Sequence, residues 1–152
     1  MSANAMDDSE RDTSPIADCS TCKQAFDPER KVVYDTENLL GYVTPLYPWA
    51  VIVATRRHEC EGPWALTQAE AIDLGRMIPR ITQAMRKTGV ERVYALAFNE
   101  EASKPHFHLG FVSRYVELSE QIHDVMYARV QSETSDAMQA AAEFAAAVRA
   151  NL

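Results

Sequence analysis

Residues 99–114 constrain the fold of this chain more than any other stretch, because they predict a strand that carries two of its four histidines. Successive side chains of a strand point to opposite faces. His106 and His108 therefore share one face, and the apolar Phe107 and Phe111 line the other, where they would anchor the strand on a core. Two imidazoles held side by side suit a nucleophile and its partner. The same pair also fits two metal ligands or two half-exposed polar residues.

Further segments predict the rest of a sheet. Strand-like composition occurs in residues 32–35, 39–43, 50–55 and 91–98. The last of these is apolar on both faces, which predicts an interior strand. Before it, Thr67 and Glu70 have the spacing of a capping box, and apolar residues then repeat at intervals of three and four as far as Gly89. We therefore predict an α+β fold, in which an antiparallel sheet of about five strands packs against this long helix.

The length of the chain fits one domain. With 152 residues, 47% of them hydrophobic, it can bury about two thirds of its unfolded surface. Residues 1–17 lack an apolar repeat and are predicted to form a disordered tail. Residues 18–116 hold the predicted sheet and long helix, and residues 117–152 are predicted to be a helical extension of the same domain. The alanine-rich end of this extension suits close packing, either on its own sheet or against a second subunit.

The acidic balance of the chain limits its classes of partner. A net charge of -7 argues against binding to long nucleic acids, which depends on Lys and Arg side chains that neutralise phosphates. The charge does not argue against a small nucleotide, because such a ligand needs only a few local hydrogen-bond donors. No segment approaches the roughly 20 apolar residues of a membrane helix, and the amino terminus lacks the regions of a signal peptide. We expect a cytoplasmic protein that does not bind membranes.

The histidine strand resembles the signature of the histidine-triad (HIT) superfamily, His-φ-His-φ-His-φ-φ, in which φ is apolar. Residues 105–109, Pro-His-Phe-His-Leu, match its first two histidines. The order of Cys19-x-x-Cys22, a first hairpin and a strand followed by His58 is also similar to bacterial HIT proteins. The similarity runs from about residue 19 to residue 114, and so identifies a whole HIT-like domain.

This resemblance implies a nucleotide hydrolase or nucleotidyltransferase that cleaves a nucleoside phosphate, a phosphoramidate or a dinucleoside polyphosphate. It assigns the nucleophile to His108, which would form a nucleotidyl-histidine intermediate, and it lets His106 bind the phosphate or orient the site. Asn99 and Ser103 take positions of substrate-binding residues, although both residue types are also common in turns. The resemblance further implies a homodimer and no redox cofactor.

Four features depart from the HIT pattern. Ser113 replaces the usual proline before Arg114, and Trp49-Ala50 replaces a Gly-His pair; the other two concern the site itself. Gly110 replaces the third histidine, and Thr44 stands where an acidic residue typically holds the ribose. The galactose-1-phosphate uridylyltransferase branch, which residues 103–108 resemble, also lacks the third histidine, so its absence does not exclude a histidine nucleophile. General acid or base help is worth about 10² to 10⁴ in rate. The alternative function is therefore a catalytically weak nucleotide-binding or zinc-stabilised regulatory module.

Cys19, Cys22 and His58 predict a metal site. The Cys-x-x-Cys spacing wraps one tetrahedral zinc, and an imidazole is a common further ligand. The resemblance to zinc-bearing HIT proteins gives His106 as the fourth ligand, with Cys60 as the rival. The alternative to a structural zinc is a set of free buried thiols beside a surface histidine.

Two expectations concern residues outside these motifs. Tyr42 is expected to lie in the core, although aromatic faces also stack on nucleobases. Arg56 and Arg57 are expected to end a strand in water rather than to bind phosphate.

Overall fold

The structure is a computed structural model that describes residues 14–97, 105–114 and 136–152. The predicted contacts Asn99 and Ser103 lie outside the described residues, as does most of the predicted tail. The helices are α1 (Ser20–Ala25), α2 (Gln68–Lys87) and α3 (Ala137–Arg149), with a short 3-10 turn at Pro63–Ala65. The strands are β1 (Lys31–Asp35), β2 (Leu39–Thr44), β3 (Tyr47–Thr55), β4 (Arg92–Leu96) and β5 (His108–Arg114).

The five strands form one sheet in the order β1-β2-β3-β5-β4, and every neighbouring pair is antiparallel. The predicted α+β class with a five-stranded antiparallel sheet is confirmed. Among the strands of the described residues β4 lies at the edge of the sheet, so the prediction of an interior position for residues 91–98 is wrong. No residue of β4 is fully buried and Ala95 is exposed, so apolar residues on both faces of a strand do not establish that it lies inside the sheet.

One face of the sheet carries the main core. β3 and β5 contribute Val51, Val53 and Phe111, which pack with residues of α2 and α3. The two helices contribute the apolar side chains of their inward faces. These are Met77, Ile81, Ala84, Met85, Ala141, Phe144, Ala145 and Val148. The alanine-rich helix α3 therefore packs on its own sheet, where the small side chains permit a close approach.

Helix α2 begins as its sequence predicts. The Glu70 amide donates to Thr67 Oγ1 at 3.2 Å, and the Thr67 amide donates to Glu70 Oε2 at 2.8 Å, so the capping box is complete. The helix ends at Lys87, and Gly89 follows with a φ of 95°, a value that favours glycine. In the described residues no helix combines the length and the apolar character that crossing a membrane requires.

The opposite face of the sheet lies against the short helix α1. Ala25 of α1 packs with Leu40, Tyr42, Ile52 and Ala54 in a second, smaller apolar cluster. Tyr42 is fully buried, which confirms its predicted core position. This packing brings the two cysteines at the start of α1 to the side of the sheet that carries the histidines of residues 105–114.

Candidate metal centre and candidate nucleophile

Four side chains converge where α1 meets the end of β3 and the start of β5. Cys19, Cys22, His58 and His106 are all buried, and each offers one donor atom such that all four atoms lie within 4.8 Å of one another. Cys19 is the N-cap of α1, and the Cys22 amide donates to its sulfur at 3.4 Å. One turn of helix therefore directs both sulfurs to the same point.

The distances within this cluster fit a tetrahedral ion. Bonds of about 2.3 Å to sulfur and 2.0 to 2.1 Å to nitrogen at a tetrahedral angle place sulfur and nitrogen about 3.6 Å apart. His106 Nδ1 lies 3.4 Å from Cys19 Sγ and 3.5 Å from Cys22 Sγ. His58 Nδ1 lies 3.6 Å from Cys22 Sγ. These three sulfur–nitrogen separations are thus the ones that a zinc-sized ion requires, and all four donors lie within 4.8 Å of one another.

The outer nitrogens of both imidazoles are held by backbone carbonyls. His106 Nε2 lies 2.7 Å from the oxygen of Thr55, and His58 Nε2 lies 2.6 Å from the oxygen of Ser14. A carbonyl oxygen only accepts, so each Nε2 carries a proton and each Nδ1 keeps its lone pair free for a metal ion. The His58 ring lies side-on to Cys22, since its Nδ1 and Nε2 are 3.6 and 3.7 Å from Cys22 Sγ. Metal-binding histidines almost always have such an outer partner. The donor set and its surroundings therefore fit a thiolate- and imidazole-binding cation.

Burial shifts the pKa of two members of the cluster. It raises the pKa of the Cys22 thiol to about 11, and it lowers the pKa of His106, which favours the neutral ring that binds metals. The rival ligand Cys60 is also buried, but it lies outside the cluster, and its thiol donates to the Gly62 oxygen at 3.6 Å. The structure groups His106, rather than Cys60, with the other three residues.

His108 lies beside this cluster on the same side of the sheet. Its ring is half-buried, and its Nδ1 lies 3.2 Å from the carbonyl oxygen of His106 and 3.2 Å from the hydroxyl oxygen of Thr21. Both imidazoles therefore contact residues of α1, as the alternation of side chains along the strand predicts. Their surroundings differ, because His106 is enclosed in the cluster whereas His108 retains contact with solvent.

No protein-family model matches the sequence, and no curated protein matches it. Solved structures do match. A histidine triad protein from Bradyrhizobium japonicum gives a TM-score of 0.66 at 16% identity, over 88% of this chain and 95% of that one. A Zn-bound histidine triad family protein from Mycobacterium smegmatis gives a TM-score of 0.55 at 18% identity, over 78% of this chain and 84% of that one. A uridylyltransferase gives 0.60 at 18% identity, over 88% of this chain and 46% of that one. The chain has the histidine-triad fold.

The resemblance drawn from residues 105–109 is thus confirmed at the level of the HIT fold. Within this fold, Gly110 is not imposed by crowding. A Cβ added there would lie 3.7 Å from the Leu96 carbonyl oxygen, which is ordinary van der Waals contact. Thr44, the other departure, is buried, and its hydroxyl has no hydrogen-bond partner within the described ranges.

The structure corrects the expectation for Arg57. Its guanidinium makes two hydrogen bonds of 3.0 Å to the carboxylate of Glu70, which is 1% exposed, and it also donates to the Ala65 oxygen at 2.9 Å. Arg57 therefore joins the end of β3 to the start of α2 instead of pointing into water. Arg56 is the more exposed of the two arginines and pairs with Asp35.

Sequence reasoning missed three residues around the site: Thr21, Arg57 and Glu70 in its role as an ion-pair partner. Thr21 had one available signal, because it lies between the two cysteines of the Cys-x-x-Cys motif and must share their surroundings. Arg57 precedes the predicted ligand His58, which was the corresponding signal there. Neither position reveals its partner without the fold.

Proposed function

We propose that this chain is a HIT-fold hydrolase or nucleotidyltransferase that cleaves a nucleoside phosphate, a phosphoramidate or a dinucleoside polyphosphate through His108. The observation that carries this proposal is the contact of 3.2 Å between His108 Nδ1 and the His106 carbonyl oxygen. Because the carbonyl accepts, the proton stays on Nδ1 and the lone pair stays on Nε2. Nε2 makes no hydrogen bond to another described residue, and the ring is half-buried, so the geometry supports a nucleophilic role.

In the proposed reaction, His108 Nε2 attacks the α-phosphorus and forms a phosphorus–nitrogen bond. The bond from phosphorus to the leaving group breaks, and the leaving group takes the electron pair and a proton from solvent. Water, or a phosphate acceptor in a transferase, then attacks the same phosphorus and releases the imidazole. Ser103 and Asn99 are proposed to bind the phosphate and the nucleoside. His106 takes no part in proton transfer in this scheme, because it belongs to the metal cluster.

We expect a covalent adduct of one nucleotidyl group when the protein is incubated with adenosine phosphoramidate or a diadenosine polyphosphate. Mass spectrometry of the acid-sensitive adduct, trapped at short times, provides the measurement. His108→Ala removes the nucleophile and should abolish both the adduct and the release of product. The matched control is His123→Ala, which removes the one histidine without an assigned role and should leave the adduct in place. An adduct that persists in His108→Ala would contradict the proposal.

A second candidate is a nucleotide-binding or zinc-stabilised regulatory module with little turnover. Gly110 favours it, because the missing imidazole leaves no acid or base at that position, although a Cβ would fit there. Calorimetric titration with the same nucleotides separates the two candidates. Tight binding with neither adduct nor product would establish the module and reject the enzyme.

We also propose that the Cys19, Cys22, His58 and His106 cluster binds one zinc ion. Four protein ligands leave no open position, which is the arrangement of a structural site. The bound ion would supply charge neutralisation for two thiolates and four bonds between separate segments. Through these ligands it would join α1, the end of β3 and the residues just before β5.

The remaining parts of the proposal follow from the resemblance. We propose a cytoplasmic homodimer that uses no redox cofactor and binds neither long nucleic acids nor membranes. The edge position of β4 supports a dimer, since an edge strand presents unpaired backbone groups to a partner. Light scattering is expected to give twice the chain mass of 17.0 kDa. A mass equal to one chain would reject the dimer.

A further inference from the structure

Thr21 lies between the two cysteines of the metal cluster and touches the reactive histidine. Its hydroxyl oxygen is 3.2 Å from His108 Nδ1, and its side chain is 5% exposed. We propose that Thr21 is a positioning residue that couples the metal cluster to the His108 ring. The effect of Thr21 on the reaction rate rests on the function proposed above, whereas its effect on the tautomer of the His108 ring does not.

The hydroxyl of Thr21 has no evident structural task within α1. The N-cap of this helix is Cys19, whose sulfur already accepts from the Cys22 amide. Within the described ranges, the Thr21 hydroxyl has no hydrogen-bond partner other than His108. A buried hydroxyl costs free energy unless it is hydrogen-bonded. The contact with His108 is therefore what accounts for a polar side chain at this position.

The contact adds a second restraint to the His108 ring. The first comes from the His106 carbonyl oxygen, which belongs to the same chain segment and accepts from Nδ1. Thr21 approaches the same nitrogen from helix α1, so the Nδ1 proton has two oxygens as acceptors, each 3.2 Å from the nitrogen. A ring held from two sides keeps its proton on Nδ1 and directs Nε2 to one place. That is the geometry a nucleophile requires.

The position of Thr21 depends on the cysteines that flank it. Helix α1 has six residues, and a helix this short is not stable by itself in water. Its attachments include the packing of Ala25 and the contacts of Cys19 and Cys22 with His58 and His106. A metal ion bound by both sulfurs would fix the backbone on either side of Thr21. The ion would thereby restrain the His108 ring without contacting it.

Thr21→Val tests the positioning role, because valine keeps the branched shape and removes only the hydroxyl. The matched control is Thr82→Val in α2, where the hydroxyl donates to the Ile78 oxygen at 2.7 Å. Nitrogen-15 NMR of the zinc-loaded protein reports the tautomer of His108 without any substrate. We expect a larger Nε2–H fraction in Thr21→Val, no change in Thr82→Val, and recovery in Thr21→Ser. Zinc content should stay at about one ion per chain in all three variants.

The rate of adduct formation provides the functional measurement. We expect Thr21→Val to lower it by about 3- to 10-fold, the effect of one lost hydrogen bond, with Thr21→Ser restoring most of the loss. An unchanged tautomer in Thr21→Val would overturn the inference even where wild type forms the adduct. A wild type that forms no adduct, with a tautomer that shifts in Thr21→Val, would support the positioning and reject the proposed reaction.

The coupling to the metal is tested by replacing zinc with cadmium, a larger ion that binds the same ligands and keeps the protein folded. Longer metal–sulfur bonds displace α1, so the His108 nitrogen resonances should move in wild type. In Thr21→Val they should move less, because the connection through the hydroxyl is lost. Equal shifts in the two proteins would overturn the coupling.

Discussion

Cys22→Ser is expected to abolish metal binding and to lower the free energy of unfolding by about 5 kcal/mol or more. Structural zinc contributes about 10 to 16 kcal/mol in zinc-finger peptides. This chain has a core of its own, so it should lose only part of that amount. The ion would join α1 to His58 and His106, and serine does not replace a thiolate ligand. Elemental analysis of the purified protein and urea unfolding at pH 7 measure the two effects.

Cys60→Ser is the matched control for this experiment. Cys60 is as buried as Cys22 but lies outside the cluster, and a serine hydroxyl could donate to the same Gly62 oxygen. We expect about one zinc per chain in wild type and in Cys60→Ser, and only traces in Cys22→Ser. Equal zinc content in the two variants would show that the ion binds elsewhere. Normal folding of a wild type that holds no zinc would reject the metal centre.

The features that sequence reasoning predicted depend on neighbours along the chain. The capping box needs only Thr67 and Glu70, three residues apart, and the structure confirms both of its hydrogen bonds. The shared side of His106 and His108 needs only the period of two along a strand. In each case the interacting groups are placed by local backbone geometry, so the residue pattern contains the information.

The features that sequence reasoning missed depend on how distant segments pair. The edge position of β4 follows from strand order, which periodicity does not encode. The contact between Thr21 and His108 joins residues 87 positions apart. Arg57 and Glu70 are 13 positions apart across a turn, and a pair of adjacent arginines is usually exposed. Only the packing of α2 beside the end of β3 brings that carboxylate to that guanidinium.

Glu70→Ala is expected to lower the free energy of unfolding by about 3 to 5 kcal/mol, because it leaves the Arg57 guanidinium without its partner. The Arg57 side chain is 18% exposed and that of Glu70 is 2% exposed, so water offers little compensation. The substitution also removes the carboxylate that accepts from the Thr67 amide at the start of α2. Glu70→Gln keeps an acceptor and should cost less. Urea unfolding of the metal-loaded proteins at pH 7 provides the comparison.

Asp35→Ala is the control for Glu70→Ala, because it breaks the neighbouring but exposed pair with Arg56 and should cost less than about 1 kcal/mol.

The pH dependence of the stability supplies a second check on the pair of Glu70 with Arg57. Burial alone would raise the pKa of Glu70, but the hydrogen bonds from Arg57 and Thr67 outweigh it, and the pKa is lowered. The contribution of Glu70 is therefore complete above the unfolded pKa of about 4.3 and is lost as the pH falls through the folded value. The stability gap between wild type and Glu70→Ala should stay constant from neutral to mildly acidic pH and close in stronger acid. A gap that widened in acid, or a cost equal to that of Asp35→Ala, would mean that the ion pair does not hold β3 to α2.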